Sequence, residues 1–114
     1  MTIYKQELEL LRSQIDDVDS DLLKTLRRRA EISTAISHLK LANGKAIIDP
    51  IRESEMVLVR ASEGMSLGLP EAWVSDLFKA ILKGCVEISC ARLEASVNEK
   101  NSDSPSSLLS KGAM

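Results

Sequence analysis

The fold is decided by residues 4–41, which read YKQELELLRSQIDDVDSDLLKTLRRRAEISTAISHLKL and contain neither glycine nor proline. Apolar residues recur in this stretch at spacings of three, four or six, as on one face of an α-helix. They are Leu8, Leu11, Ile15, Val18, Leu22, Leu26, Ile32 and Ile36. An unbroken helix of this length spans about 55 Å, more than the width of a compact monomer of this size. Its apolar face therefore needs a further surface, and we expect a homodimer.

A second, shorter helix is predicted after a break in the chain. The segment Ala42–Lys45 contains an Asn-Gly pair, which is typical of a helix C-terminus. Asp49 followed by Pro50 is the usual pairing of an N-cap with the first helical residue. We therefore expect the second helix to run from residue 50 to about residue 63.

The remaining sequence predicts a third helix and a tail. Gly64 and Gly68 indicate a loop, after which Pro70 opens another apolar-periodic stretch. From about residue 96 the chain becomes rich in Ser, Asn and Asp, which is typical of disorder. We therefore predict a helical domain over residues 1–95 and a disordered tail over residues 96–114.

Composition agrees with an all-α, three-helix protomer. The chain is 44% hydrophobic but has one Trp, one Tyr and one Phe, and only 5 Gly and 3 Pro, whereas β-sandwiches and barrels use more aromatic and turn residues. The net charge of −2 gives no basic field for nucleic acid. With two Cys and one His we expect no metal site, and no apolar run is long enough for a membrane span. Acidic residues near the N-terminus argue against a signal peptide, so we expect a cytoplasmic protein.

Two cations lie on the apolar face of the first helix, which we call the apolar stripe. Arg29 lies seven residues after Leu22 and seven before Ile36, where an aliphatic residue is expected. Lys40 follows eleven residues later, about three turns, so the two side chains point within about 20° of each other. Burying an unpaired cation costs several kcal/mol, so we expect Arg29 and Lys40 each to lie close to an anionic group. That group is either an acidic residue of the chain, such as Glu53, or an external ligand.

Further charged residues lie elsewhere along the chain. Arg12 is about 25 Å along the first helix from Arg29, so the two cannot share a site within one chain. In an antiparallel pair of such helices, Arg12 of one protomer approaches Arg29 of its partner. Arg52 and Glu53 occupy the first turn of the second helix. Glu is favoured there by the helix dipole and Arg is not. Two interpretations of Arg52 stay open: it is placed for a partner, or it lies in a plain solvated turn.

Together these residues resemble the all-helical, type II chorismate mutases, which are intertwined homodimers of three-helix protomers. The resemblance covers residues 4–95 without a gap. It rests on Leu11-Arg12 with Ile15 and Asp19, Leu26-Arg27-Arg28-Arg29, Lys40, Asp49-Pro50-Ile51-Arg52-Glu53 and Leu77-Phe78-Lys79-Ala80-Ile81. The twelve-residue step from Lys40 to Arg52 agrees with the mutases, because the related isochorismate pyruvate-lyases have a shorter step.

The resemblance implies a role for each charged residue. Arg29 binds one substrate carboxylate, and Arg12 of the partner binds the other. Lys40 hydrogen-bonds the ether oxygen. Arg52 supports the site electrostatically, while Asp49 and Glu53 hold the ring hydroxyl. The implied reaction, a Claisen rearrangement of chorismate to prephenate, transfers no proton and uses no cofactor.

The third helix departs from the family pattern at two positions. Cys85 stands where the family has a small hydroxyl residue, and Ser89 stands where it has Gln or Glu, which gives a second hydrogen bond to the ether oxygen. Ser is too short to replace Gln directly, so we expect a water-mediated contact. Either activity on chorismate is reduced or the substrate differs.

Three alternatives therefore stay open beside the mutase. A 4-amino-4-deoxychorismate mutase uses the same scaffold, and Glu53 suits its ammonium group. An isochorismate pyruvate-lyase is the second. The third is a non-catalytic helical dimerisation module, in which internal acids pair with the cations.

Overall fold

The structure, a computed structural model, describes the backbone of residues 2–103 and the side chains of residues 2–97. Three α-helices make up the described chain: α1 (Thr2–Ala42), α2 (Pro50–Ser66) and α3 (Glu71–Asp103). Helix α3 packs against both α1 and α2, and over these residues α1 and α2 do not contact each other. The described part of the chain contains no strand, which confirms the predicted all-helical, three-helix protomer.

Helix α1 ends at the predicted Asn-Gly segment. The backbone N–H of Lys45 donates to the carbonyl of Lys40 at 2.8 Å, and that of Gly44 donates to Leu41 at 3.1 Å. This is a Schellman motif, and it requires the positive φ of +68° at Gly44, which glycine adopts without strain. The chain is thereby turned towards α2.

Helix α2 begins where predicted and ends three residues later than predicted. The carboxylate of Asp49 accepts a hydrogen bond from the backbone N–H of Arg52 at 3.2 Å, which confirms it as the N-cap. Gly64, predicted to lie in a loop, is a buried residue of the helix. A Cβ at this position would lie 2.7 Å from Cγ2 of Val74, so this glycine allows α3 to pack closely against α2. Gly68, with φ of +81°, is the glycine that lies in the turn after α2.

Helix α3 also extends beyond its predicted end. It runs to Asp103, because residues 96–103 contain no glycine or proline and extend the helix in spite of their polar composition. The start of the predicted disordered tail is therefore helical. Residues 104–114, the rest of that tail, lie outside the described residues.

The face of α1 that packs within the chain differs from the predicted apolar stripe. The buried residues of α1 are Ala30, Thr34 and Ser37, which are small and permit close approach of α3. The stripe itself stays open to solvent: Ile15 is 60% exposed and Leu22 is 53% exposed. The expected burial of this stripe against a second copy stays a prediction. The contact between α1 and α3 was not predicted, because small residues carry no hydropathy signal.

The protomer is long and thin, with extents of 71 × 37 × 15 Å. A thickness of 15 Å corresponds to little more than one layer of helices, each about 10 Å across. Its core is accordingly small: among residues 2–97 the buried hydrophobic residues are Ala30, Met56, Val57, Ala61, Val74 and Cys85. Over the described residues, no helix combines the length and hydropathy needed to cross a bilayer.

The two helical glycines predict opposite responses to alanine. Gly64→Ala introduces a methyl group into the contact with Val74 and should lower the free energy of unfolding, because overpacking costs about 1–3 kcal/mol. Gly84→Ala adds its Cβ to open space and should raise it by up to about 1 kcal/mol through helix propensity. Urea titration followed by circular dichroism measures both variants. Equal stabilisation by the two substitutions would contradict the close α2–α3 packing.

Candidate active site

Arg29 reaches from α1 to α3 and bonds to a thiol. Its Nη1 donates a hydrogen bond to Sγ of Cys85 at 3.2 Å. Cys85 is buried and Arg29 is half-buried. The neighbouring Arg27 behaves differently, since it is exposed and pairs with Glu31 on its own helix at 3.4 Å. The third arginine of the Arg27-Arg28-Arg29 run is thus the one that reaches α3.

Lys40 is held beside the turn that ends α1. Its Nζ donates to the backbone carbonyl of Ile47 at 3.1 Å, and the side chain is half-buried. The carbonyl accepts a hydrogen bond from one of the three N–H groups of the ammonium, and the other two can donate to other acceptors. Because a carbonyl is neutral, the contact orients the ammonium without cancelling its charge.

The N-terminus of α2 supplies Asp49, Arg52 and Glu53. Asp49 and Arg52 are exposed and are linked through the N-cap hydrogen bond, while Glu53 is half-buried. Glu53 lines a groove of about 700 Å³ between α2 and α3. The lining combines apolar residues of both helices with the charged residues Glu53, Lys79, Lys83 and Glu87.

Arg12 lies apart from the other cations. It is exposed on the N-terminal half of α1, and seventeen residues of helix, about 25 Å, separate it from Arg29. Leu8 and Leu26 are the only residues of α1 before Arg29 that are even partly covered within the described chain. Within one protomer the structure therefore does not bring Arg12 to the site.

Ser89 has a partner that the sequence did not predict. Its side chain is fully buried, and its Oγ lies 3.1 Å from Oγ1 of Thr34 on α1. Thr34 uses its own hydroxyl hydrogen on the carbonyl of Ala30 at 3.0 Å, so Ser89 must be the donor of the bond between them. Its only hydrogen is therefore committed to Thr34. The water-mediated contact of Ser89 with a substrate remains a prediction.

The cations of the site have neutral partners. Arg29 bonds to a thiol and Lys40 to a carbonyl, and the ion pairs seen among residues 2–97 are Arg27–Glu31 and Arg60–Glu63. Glu53, considered from the sequence as an internal counter-ion, forms no ion pair in that part of the chain. Residues 2–97 also hold no cluster of three His, Cys, Asp or Glu side chains arranged for a metal ion. The positive charge near Arg29 and Lys40 is thus available to an anion.

Thr34 is the residue beside the candidate site that sequence analysis missed, and its role is to hold Ser89. The signal was present but weak: Ala30, Thr34 and Ser37 recur at spacings of four and three, which places small residues on one face of α1. At about 100° per residue, Arg29 and Lys40 lie about a quarter-turn from Ala30, on the exposed apolar stripe. The stripe thus carries the cations, and the small-residue face holds α3 beside them.

Comparison with known proteins assigns the chain to a family. The chain matches the family model of type II chorismate mutases over residues 11–89. The chain belongs to the type II chorismate mutase family. Chorismate mutases are isomerases, and the matched range includes Arg12, Ser89 and every predicted site residue between them. The resemblance found in the sequence is thereby confirmed.

Relatives in this family carry more than one name. A T-protein of Enterobacter agglomerans is 35% identical over 68% of this chain, which spans 21% of that protein. A 4-amino-4-deoxychorismate mutase of Streptomyces venezuelae is 31% identical over 68% of this chain and 76% of its own length. An intracellular chorismate mutase of Mycobacterium tuberculosis is 35% identical over 45% of this chain and 49% of its own length. This chain thus spans about a fifth to three quarters of the relatives it matches.

The hydroxyl pair between α1 and α3 predicts a difference between two threonines. Thr34→Val removes the acceptor of the buried Ser89 hydroxyl and should lower the free energy of unfolding by about 1–2 kcal/mol. Thr25→Val is the matched control, because Thr25 also bonds to the carbonyl four residues earlier but is exposed and has no partner on α3. Urea titration of both variants measures the difference. Equal midpoints for both variants would contradict a structural role for the pair.

Proposed function

We propose that this protein catalyses the rearrangement of chorismate to prephenate. The observation that supports this most directly is that the two cations on the apolar stripe of α1 have neutral hydrogen-bond partners. Arg29 and Lys40 are held in place by neutral acceptors, so a dianionic substrate meets oriented cations whose charge is not already cancelled. The family membership supplies the substrate class.

The reaction needs a restrained conformer and a stabilised oxygen. Chorismate rearranges only when its enolpyruvyl arm folds over the ring, and guanidinium groups that grip the two carboxylates hold that conformer. As the C–O bond breaks, negative charge develops on the ether oxygen. The ammonium of Lys40 binds this charge more strongly in the transition state than in the ground state, which lowers the barrier.

Each residue takes one part of the substrate in this proposal. Arg29 binds one carboxylate by a paired hydrogen bond, for which its planar guanidinium is suited. Arg12 of a second protomer binds the other. Cys85 lines the wall beside Arg29, and Arg52 adds positive charge. Asp49 and Glu53 hold the ring hydroxyl.

A homodimer completes the site. The apolar stripe of α1 is exposed from Leu11 to Leu22, and an antiparallel copy of α1 laid on it covers that surface. The same pairing carries Arg12 of one protomer towards Arg29 of the other. The groove beside Glu53 is apolar inside and open, so it offers room for the N-terminal part of the partner's α1.

A second substrate is supported by one relative. The 4-amino-4-deoxychorismate mutase is similar over most of its own length, and Glu53 would pair with the ammonium of its substrate. The two substrates differ at the ring carbon that Glu53 faces. Direct competition between chorismate and 4-amino-4-deoxychorismate, expressed as a ratio of kcat/KM, distinguishes the candidates. A ratio in favour of the amine would reassign the substrate, while pyruvate release from isochorismate would indicate the lyase.

Mixing two inactive variants tests the shared site. Arg12→Ala and Arg29→Ala should each abolish most turnover of chorismate as homodimers. In a mixed dimer one of the two sites keeps both arginines, so an equimolar mixture that exchanges subunits should regain about one quarter of wild-type activity. Loss of chorismate absorbance, with identification of prephenate, measures the reaction.

The control uses a chain that carries both substitutions. Mixing it with either single variant assembles no complete site, so activity should stay at the level of the single variants. Failure of the first mixture to regain activity, with subunit exchange verified by mass spectrometry, would contradict the contribution of Arg12 across the interface. Wild-type protein that turns over none of the three substrates would instead favour the dimerisation module.

A further inference from the structure

Among the side chains of residues 2–97, the thiol of Cys85 is the one neutral group that bonds to a site cation. The Sγ atom lies 3.2 Å from Nη1 of Arg29, within hydrogen-bond range for sulfur, and Cys85 is buried. The proposed function uses this residue only as pocket wall. Its contact with the guanidinium gives it a second task.

We propose that Cys85 is a positioning residue that aims the guanidinium of Arg29 at the substrate carboxylate. This inference rests on the proposed function, because it concerns how one of its binding groups is held. The sulfur accepts a hydrogen bond from the N–H of Nη1 and fixes the plane of the guanidinium. The edge formed by Nε and Nη2 keeps its protons for a carboxylate, which that edge binds through two parallel hydrogen bonds.

A neutral acceptor suits this task better than an acid. A carboxylate at position 85 would orient Arg29 as well, but it would also compete with the substrate for the same charge. A neutral thiol is a weak acceptor and a small apolar group, so it is buried at little cost. It therefore orients the arginine and leaves its charge to the ligand.

The position of Cys85 is fixed by the next turn of the same helix pair. One turn further along α3, Ser89 donates its hydroxyl hydrogen to Thr34 of α1. The two cross-helix bonds, at Arg29–Cys85 and Thr34–Ser89, lie one to two turns apart along α1 and prevent the helices from rotating against each other. The thiol is thereby presented to Arg29 by a rigid support.

Three substitutions distinguish the loss of the hydrogen-bond acceptor at position 85 from a change in side-chain volume. Cys85→Ser keeps an acceptor, Cys85→Ala removes it, and Cys85→Val replaces it with an apolar group of similar size. Because Arg29 binds a carboxylate and thereby helps to hold the reactive conformer, a misplaced guanidinium should lower kcat/KM for chorismate about tenfold in the Ala and Val variants, with a fall in kcat included. The Ser variant should stay within about threefold of wild type in kcat and in KM. Cys90→Ala, on the same helix and without this contact, is the matched control and should match wild type.

A readout without substrate tests the positioning itself. The heteronuclear NOE of the Arg29 Nε–H group reports whether the side chain is ordered, and it should fall in Cys85→Ala and Cys85→Val but not in Cys85→Ser or Cys90→Ala. If Ser is as impaired as Ala and Val, or if the NOE is unchanged in all variants, Cys85 does not position Arg29. Inactive wild-type protein with the expected NOE pattern would overturn the proposed function and leave the positioning role in place.

Discussion

Helix α1 is 41 residues long, and its own chain covers only part of it. The contact with α3 uses a face of small residues in the C-terminal half, while the apolar stripe runs uncovered through most of the N-terminal half. Large exposed apolar surfaces of this kind are characteristic of association sites. The thin shape, the small core and the separation of Arg12 from Arg29 are the features that the proposed homodimer would explain.

The small core also affects how the cations of the candidate site are paired. A small core leaves little room for buried ion pairs, and the site cations are met by a thiol and a carbonyl instead of carboxylates. An unpaired cation is costly to desolvate, so such a site is stabilised by the anion it binds. The proposed rearrangement transfers no proton, and it would require preorganised positive charge of this kind to bind its dianionic substrate.

Sequence analysis predicted the elements and missed part of the packing. The turn residues Gly44 and Asp49 fixed both ends of the α1–α2 connection, because their backbone requirements are local. Gly64 was misplaced, since its buried position depends on Val74, a contact that no local pattern carries. The partner of Ser89 was missed for the same reason: Thr34 lies 55 residues away, and the spacing of small residues on α1 does not show which residue of α3 they contact.

The most direct test of this account is the mass of the protein in solution. Sedimentation velocity of the full chain, at the concentration at which it turns over chorismate, should give a species of twice the 12.5 kDa of one chain. A species of 12.5 kDa that is fully active would show that the exposed stripe needs no second copy and that Arg12 has no part in the reaction.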